Sequence, residues 1–255
     1  MSTRLERVFV VGMGEVGRRL AGALAAAGVE TVPVTRESGW DRLAGDPGAP
    51  VLVCVREEAL AAVLARLRGV APARLVFVQN GWVRELLAGH PACSRGLIWF
   101  TAKGGFFRVL RPSAFAGPAV GALAGALALG GIAAEALAPG AFAAAEAEKM
   151  GFNCVVGLPL AVHGVSLGEY LAGRPDEAEA VFSEATGVTA RALAVPTSAA
   201  WWPEFLRVAE PLAWVTAGAA KALEFRNGAV ARLARGLGVS VPANDALLAA
   251  VGYRG

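Results

Sequence analysis

The chain has 255 residues, 55% of them hydrophobic and only 18% charged, with a formal net charge of +3. That length suits one large domain or two smaller ones, and the apolar surplus excludes a disordered chain. The scattered positive charge argues against a nucleic-acid partner, and Cys54, Cys93 and Cys154 with two isolated histidines, His90 and His163, show no metal-ligand spacing.

The N-terminus runs from a charged segment straight into a short apolar stretch, without a signal-peptide pattern. Reduced thiols and a cytoplasmic location are the expectation. Residues 7–34 then read as strand, glycine turn, helix and strand. The run 8–11 is continuously apolar, as in a central parallel strand, and Val16, Leu20, Leu24 and Ala27 follow helical spacing. Gly28 suits the helix end.

The alternation continues. Residues 50–55 predict a buried strand and 57–69 a helix. Residues 74–81 predict a strand ending in an Asn-Gly turn, followed by a short helix over 83–89. Residues 96–102 predict one strand, and 106–119 a hairpin around Arg111, Pro112 and Ser113. The Ala/Gly-rich stretch 117–134 is long enough to raise a membrane span, but its lack of large apolar residues and its Gly130-Gly131 pair favour a buried helix, so no membrane partner is expected. A further short element is expected near 132–137. Beyond about residue 139 strand-like runs disappear and helical patterns punctuated by prolines take over. The predicted fold is α/β: an N-terminal Rossmann domain with a doubly wound parallel sheet over 1–138, then an all-helical domain over 139–255 for substrate binding and dimerisation.

Gly12, Gly14 and Gly17 form GxGxxG between the first strand and the first helix. In that setting the first glycine permits a tight turn, the second lets backbone approach a pyrophosphate, and the third packs helix on strand. Met13, Glu15 and Val16 lie inside the same motif and join the expected cofactor contacts, as does Ala102 at the end of the 96–102 strand. The second strand ends with Thr35 and Arg36 where NAD sites usually carry an acid. A hydroxyl and a guanidinium suit a 2′-phosphate, so NADPH is the expected cofactor, although Glu37 would oppose the phosphate if it pointed inward. Arg56, just past the third strand, reads as an adenine or phosphate contact or as a plain surface arginine. Asn80, at another strand end, reads either as a ligand contact or as simple turn chemistry.

Lys149 and Asn153 stand four residues apart in an otherwise apolar helical run, so they project from one face. One reading is a lysine snorkelling from a half-buried helix. The other is a proton donor in an interdomain crevice, serving an alkoxide formed when hydride reaches a ketone.

These features together resemble the ketopantoate reductase family, NADPH-dependent enzymes with a Rossmann domain followed by a helical domain. The resemblance spans nearly the whole chain. It rests on GxGxxG at 12–17, Arg36, Arg56, the Asn80-Gly81 pair, KMGFN at 149–153, LGEY at 167–170 and, most specifically, the tail segment 225–247. It implies cofactor and substrate contacts from Asn80, catalytic acid chemistry from Lys149, and substrate binding by Asn153. Four positions depart from the family pattern. Two family asparagines fall on Gly157 and Leu167, a substrate-binding serine on Glu210, and a glutamate on Ala222, with Glu224 nearby. These changes imply a more apolar pocket with weaker discrimination for ketopantoate, to which Trp201, Trp202 and Trp214 would contribute unless they simply pack the core. Glu210, if it faces the substrate, would repel a carboxylate. The β-hydroxyacid dehydrogenase and imine reductase group is an alternative, because the former shares the Lys and Asn spacing. A nucleotide-sensing or partner-binding protein that lost the chemistry is another. The expected partners are a small-molecule carbonyl substrate and a second copy of the chain in a homodimer.

Overall fold

The computed structural model describes residues 5–103, 106–217 and 222–255. The chain divides into two compact units, Met1–Gln79 with Val83–Phe142, and Asn80–Trp82 with Ala143–Gly255.

The first unit is α/β. Its strands are β1 (Arg7–Val11), β2 (Glu30–Val34), β3 (Val51–Val53), β4 (Leu75–Phe77), β5 (Ser94–Leu97), β6 (Phe100–Lys103), β7 (Phe106–Val109), β8 (Ser113–Ala116) and β9 (Ala134–Ala136). The main sheet runs in the order β2-β1-β3-β4-β5-β8-β9. The first five strands are mutually parallel, and β1, β3 and β4 are almost entirely buried, which is why they read as continuous apolar runs. The chain goes from β1 outward to β2, then returns across β1 to β3. The carboxyl ends of β1 and β3 therefore border a topological switch point, where open α/β sheets bind ligands.

Three predicted elements differ. The expected single strand over 96–102 is two strands in two sheets. β5 pairs antiparallel with β8, whereas β6 pairs with β7 in a separate ribbon. The break falls where the Trp99 amide donates to the Ser113 hydroxyl at 3.0 Å instead of to a strand neighbour. The expected hairpin over 106–119 is not one, because the bend before Ser113 carries the chain from the ribbon to the main sheet. As a result β8 and β9 run opposite to the five parallel strands. Residues 83–89 form hydrogen-bonded turns rather than a helix, in keeping with so short a run closed off by Gly89 and Pro91.

The helices of this unit are α1 (Glu15–Ala26), α2 (Arg42–Gly45), α3 (Leu60–Arg66) and α4 (Gly121–Leu129). Leu20 and Leu24 of α1 and Leu123 and Leu127 of α4 join Val8, Val10, Leu52 and Val76 in one core. The small residues around α4 have a packing reason: a Cβ on Gly130 would run into the backbone of Ala23 in α1. No helix among the described residues is long and apolar enough to cross a membrane.

The remaining helices are α5 (Pro139–Val155), α6 (Leu158–His163), α7 (Leu167–Gly173), α8 (Pro175–Ala192), α9 (Trp201–Ala209), α10 (Asn227–Leu237) and α11 (Pro242–Ala250). All of α6–α11 and most of α5 lie in the second unit, which is helical throughout. The expected helical pattern over 203–224 stops at Ala209, continues in a short turn of 3-10 helix, Glu210–Leu212, and reaches residues 218–221, which lie outside the described residues. Phe152, Phe182, Phe205 and Trp202 form an aromatic cluster with ring centroids 5.1–5.8 Å apart. The tail is clasped by two fully buried asparagines. The Asn227 amide donates to the Asn244 side-chain oxygen at 2.9 Å, and the Asn244 amide donates back to the Asn227 carbonyl at 3.1 Å. The Glu184 carboxylate accepts the amides of Ala243 and Asn244 at 2.9 and 2.8 Å, satisfying the first turn of α11.

Candidate functional site

A cleft of about 850 Å³ opens in the first unit at the switch point between β1 and β3. Its floor is the turn after β1. Gly12 has φ +92°, which only glycine adopts readily, and a Cβ there would lie 2.8 Å from the Val55 side chain. A Cβ on Gly17 would overlap the Gly12 carbonyl. A Cβ on Gly14, by contrast, meets nothing within 4 Å. The Arg18 guanidinium donates to the Met13 carbonyl at 2.8 Å and pins the turn. Gly14 starts α1 without a side-chain cap, so the first-turn amides of a twelve-residue helix have no capping side chain there. Open space at Gly14 together with uncapped amides fits a pyrophosphate.

The far wall carries the charge. Arg36, Arg56 and Arg66 line the cleft against one carboxylate, Glu37. Glu37 accepts from the Thr35 hydroxyl at 3.0 Å. Arg66 lies 4.0 Å over the Trp40 ring and donates to the Arg36 carbonyl at 3.0 Å, and the Trp40 indole donates to the Thr35 carbonyl at 2.6 Å. This wall is an aromatic face and a basic cluster held together by backbone hydrogen bonds. The sequence points to Arg36 and Arg56 but not to Trp40, which belongs to no motif, or to Arg66, which reaches the strand end from thirty residues away. Of the other expected cofactor contacts, Gly12, Met13 and Gly14 line the cleft. Glu15, Val16 and Gly17 begin α1 beside it. Ala102 stands in β6 opposite Phe107 and packs against the core rather than lining the cleft. Cys54 sits against the glycine turn, and burial raises its thiol far above the usual range.

The second unit gathers the other predicted residues. Lys149 and Asn153 lie on α5 and are 4% and 5% exposed, so the lysine does not snorkel. Its Nζ stands 4.3 Å from the centroid of the Phe152 ring. Glu146 and Glu148 of the same helix are buried too. The Asn153 amide donates to the Asn80 carbonyl at 2.8 Å, and the Trp82 amide donates to the Phe225 carbonyl at 2.7 Å. Segment 80–82 is thereby fastened to the helical unit, and Asn80 stands beside Asn153 through its backbone. Leu167 is fully buried. Glu210 is exposed at the start of its short turn. Glu224 is exposed and committed elsewhere, accepting from Arg232 at 2.9 Å and from the Tyr253 hydroxyl at 2.8 Å. Trp202 belongs to the aromatic cluster, and Trp214 is exposed. Among the described residues no group of His, Cys, Asp and Glu is arranged to hold a metal ion.

No protein-family model and no curated protein matches the sequence. Solved structures do. A ketopantoate reductase of the PanE/ApbA family from Ralstonia eutropha JMP134 is 24% identical, with a TM-score of 0.75 over 96% of this chain and 97% of that one. A 2-dehydropantoate 2-reductase from Methylococcus capsulatus is 19% identical, with a TM-score of 0.76 over 96% of each chain. A D-mandelate dehydrogenase in complex with NADH is 13% identical, with a TM-score of 0.74 over 96% of this chain and 97% of that one. Over nearly its whole length the chain carries the fold that these oxidoreductases share.

Proposed function

We propose that the chain is a divergent relative of the ketopantoate reductases, an NADPH-dependent reductase of an oxo acid or related ketone, with Lys149 as its general acid. The observation that carries this reading is a lysine and an asparagine buried on one face of α5, the asparagine tied to the strand-end residue Asn80. The glycine turn and uncapped α1 support a bound dinucleotide, and three guanidinium groups against one carboxylate support its 2′-phosphate. The glycine turn with Arg36, Arg56 and Arg66 would hold NADPH, which would supply the hydride for the carbonyl carbon. The C=O π pair moves to oxygen, and the Lys149 ammonium gives that oxygen a proton, leaving a neutral amine that solvent reprotonates. Before transfer, the same N–H holds the carbonyl through a charged hydrogen bond.

Ketopantoate itself is a weaker candidate substrate, because Gly157, Leu167 and Ala222 offer no polar side chain to its hydroxyl. A homodimer belongs to the same reading. It is supported by similarity to a dimeric ketopantoate reductase from Staphylococcus aureus, at 14% identity and a TM-score of 0.72.

The test is cofactor oxidation with a panel of oxo acids and ketones. Lys149→Ala is expected to lower kcat by about 100-fold or more. Arg66→Ala is expected to weaken NADPH by about tenfold and NADH far less. Turnover that ignores Lys149, or equal affinity of the wild type for both cofactors, sinks the corresponding half of the reading.

A further inference from the structure

One side chain of the helical unit is unexplained by packing. Arg226 precedes α10, is half-buried, and its Nε is buried without a hydrogen-bond partner. An unsatisfied donor of this kind is costly, and each one calls for a reason. The guanidinium lies beside Gly157. A Cβ at that position would stand 3.0 Å from the Asn153 carbonyl and 3.7 Å from Nη1, so a side chain there would start in contact with the guanidinium. Gly157 has φ −135° and ψ −95°, between α5 and α6. Position 157 has no side chain, so the guanidinium there faces only backbone. Gly157 follows Asn153 by four residues, just past the end of α5. Arg226 also follows directly on Phe225, whose carbonyl accepts the Trp82 amide of the segment that holds Asn80. The nearby Cys154 thiol is pushed up to about 12 by burial, stays neutral, and does not cancel the charge.

We infer that Arg226 recognises a carboxylate of the substrate, filling the space that Gly157 leaves open beside Asn153. This rests on the reductase reading above and narrows it to oxo acids. A guanidinium supplies paired donors in the fork geometry that a carboxylate accepts. It takes over recognition at a point where the chain has no polar side chain of its own.

The experiment titrates oxamate, and its uncharged counterpart oxamide, into the wild type, Arg226→Ala, Arg226→Lys and Gly157→Asn, with and without NADP⁺. Turnover of an oxo acid and of its methyl ester is followed in parallel. We expect Arg226→Ala to weaken oxamate by about ten- to a hundredfold and Arg226→Lys by less. Gly157→Asn, which crowds the guanidinium but keeps its charge, should fall between them. KM for the acid should rise more than KM for the ester. Arg226→Ala should also unfold at the wild-type temperature or above, since it removes an unsatisfied donor. Oxamate binding that is unchanged in Arg226→Ala, or a loss matched by oxamide or by NADP⁺, overturns the inference. If oxamate binding depends on Arg226 but no carbonyl is reduced, the reductase reading fails and the anion site stands.

Discussion

Gly14 and Gly17 stand three residues apart in one motif and answer to different constraints. A Cβ on Gly17 has nowhere to go, because the Gly12 carbonyl occupies its place, whereas a Cβ on Gly14 meets only open space. Gly17→Ala is therefore expected to destabilise the first unit by about 1–3 kcal/mol, read as a lower urea midpoint. Gly14→Ala should leave that midpoint unchanged and weaken NADPH binding, read by nucleotide fluorescence titration. Equal loss of stability in both would mean that the motif is purely structural. These glycine roles are legible in the sequence, because spacing alone fixes which residue faces the turn and which faces the helix. So is the shared face of Lys149 and Asn153. Arg66, Trp40 and Arg226 are not legible. Their significance comes from what lies across from them in space, and no local pattern encodes that.

At the scale of elements, periodicity finds the buried parallel strands and most helices, since each carries its own apolar repeat. It fails where pairing partners decide. The run 96–102 is largely apolar, yet the Ser113 hydroxyl intercepts the Trp99 amide and splits it between two sheets. The conspicuous tail segment also reads differently in space. Its Asn227 and Asn244 form a buried clasp between α10 and α11. Asn153 joins two elements in a similar way, tying α5 to the residues that follow β4. Asn153→Ala leaves the Asn80 carbonyl without that donor and should cost about 1–3 kcal/mol in urea unfolding. An unchanged midpoint would show that the bond contributes nothing net. Arg226→Ala should behave in the opposite sense, so the two variants separate a structural polar residue from one kept for a ligand.

For the whole molecule, the buried thiols set a stability limit. Cys54, Cys93 and Cys154 are free, and burial raises all three thiols above their ordinary value of 9.0, Cys154 to about 12. The unfolded chain loses these protons first as pH rises. The stability that these thiols contribute is therefore fully present below pH 9.0 and falls as pH climbs from there toward 12. Urea midpoints across that range should decline, and Cys154→Ala should flatten the decline. The native thiols should also resist a disulfide reagent near neutral pH and react once the chain unfolds. Rapid native labelling of Cys154 would contradict its burial.

The close approach of Gly157 and Arg226 has an evolutionary consequence. A side chain at 157 would begin in van der Waals contact with the guanidinium, so the two positions are coupled. A chain that gains a side chain at 157 places it against the arginine at 226, and one that loses the arginine has more room there. Within close relatives the two positions should change together, and a single substitution at either should be less fit than the double. Substrate preference in this lineage would then switch in coupled steps rather than drift one residue at a time.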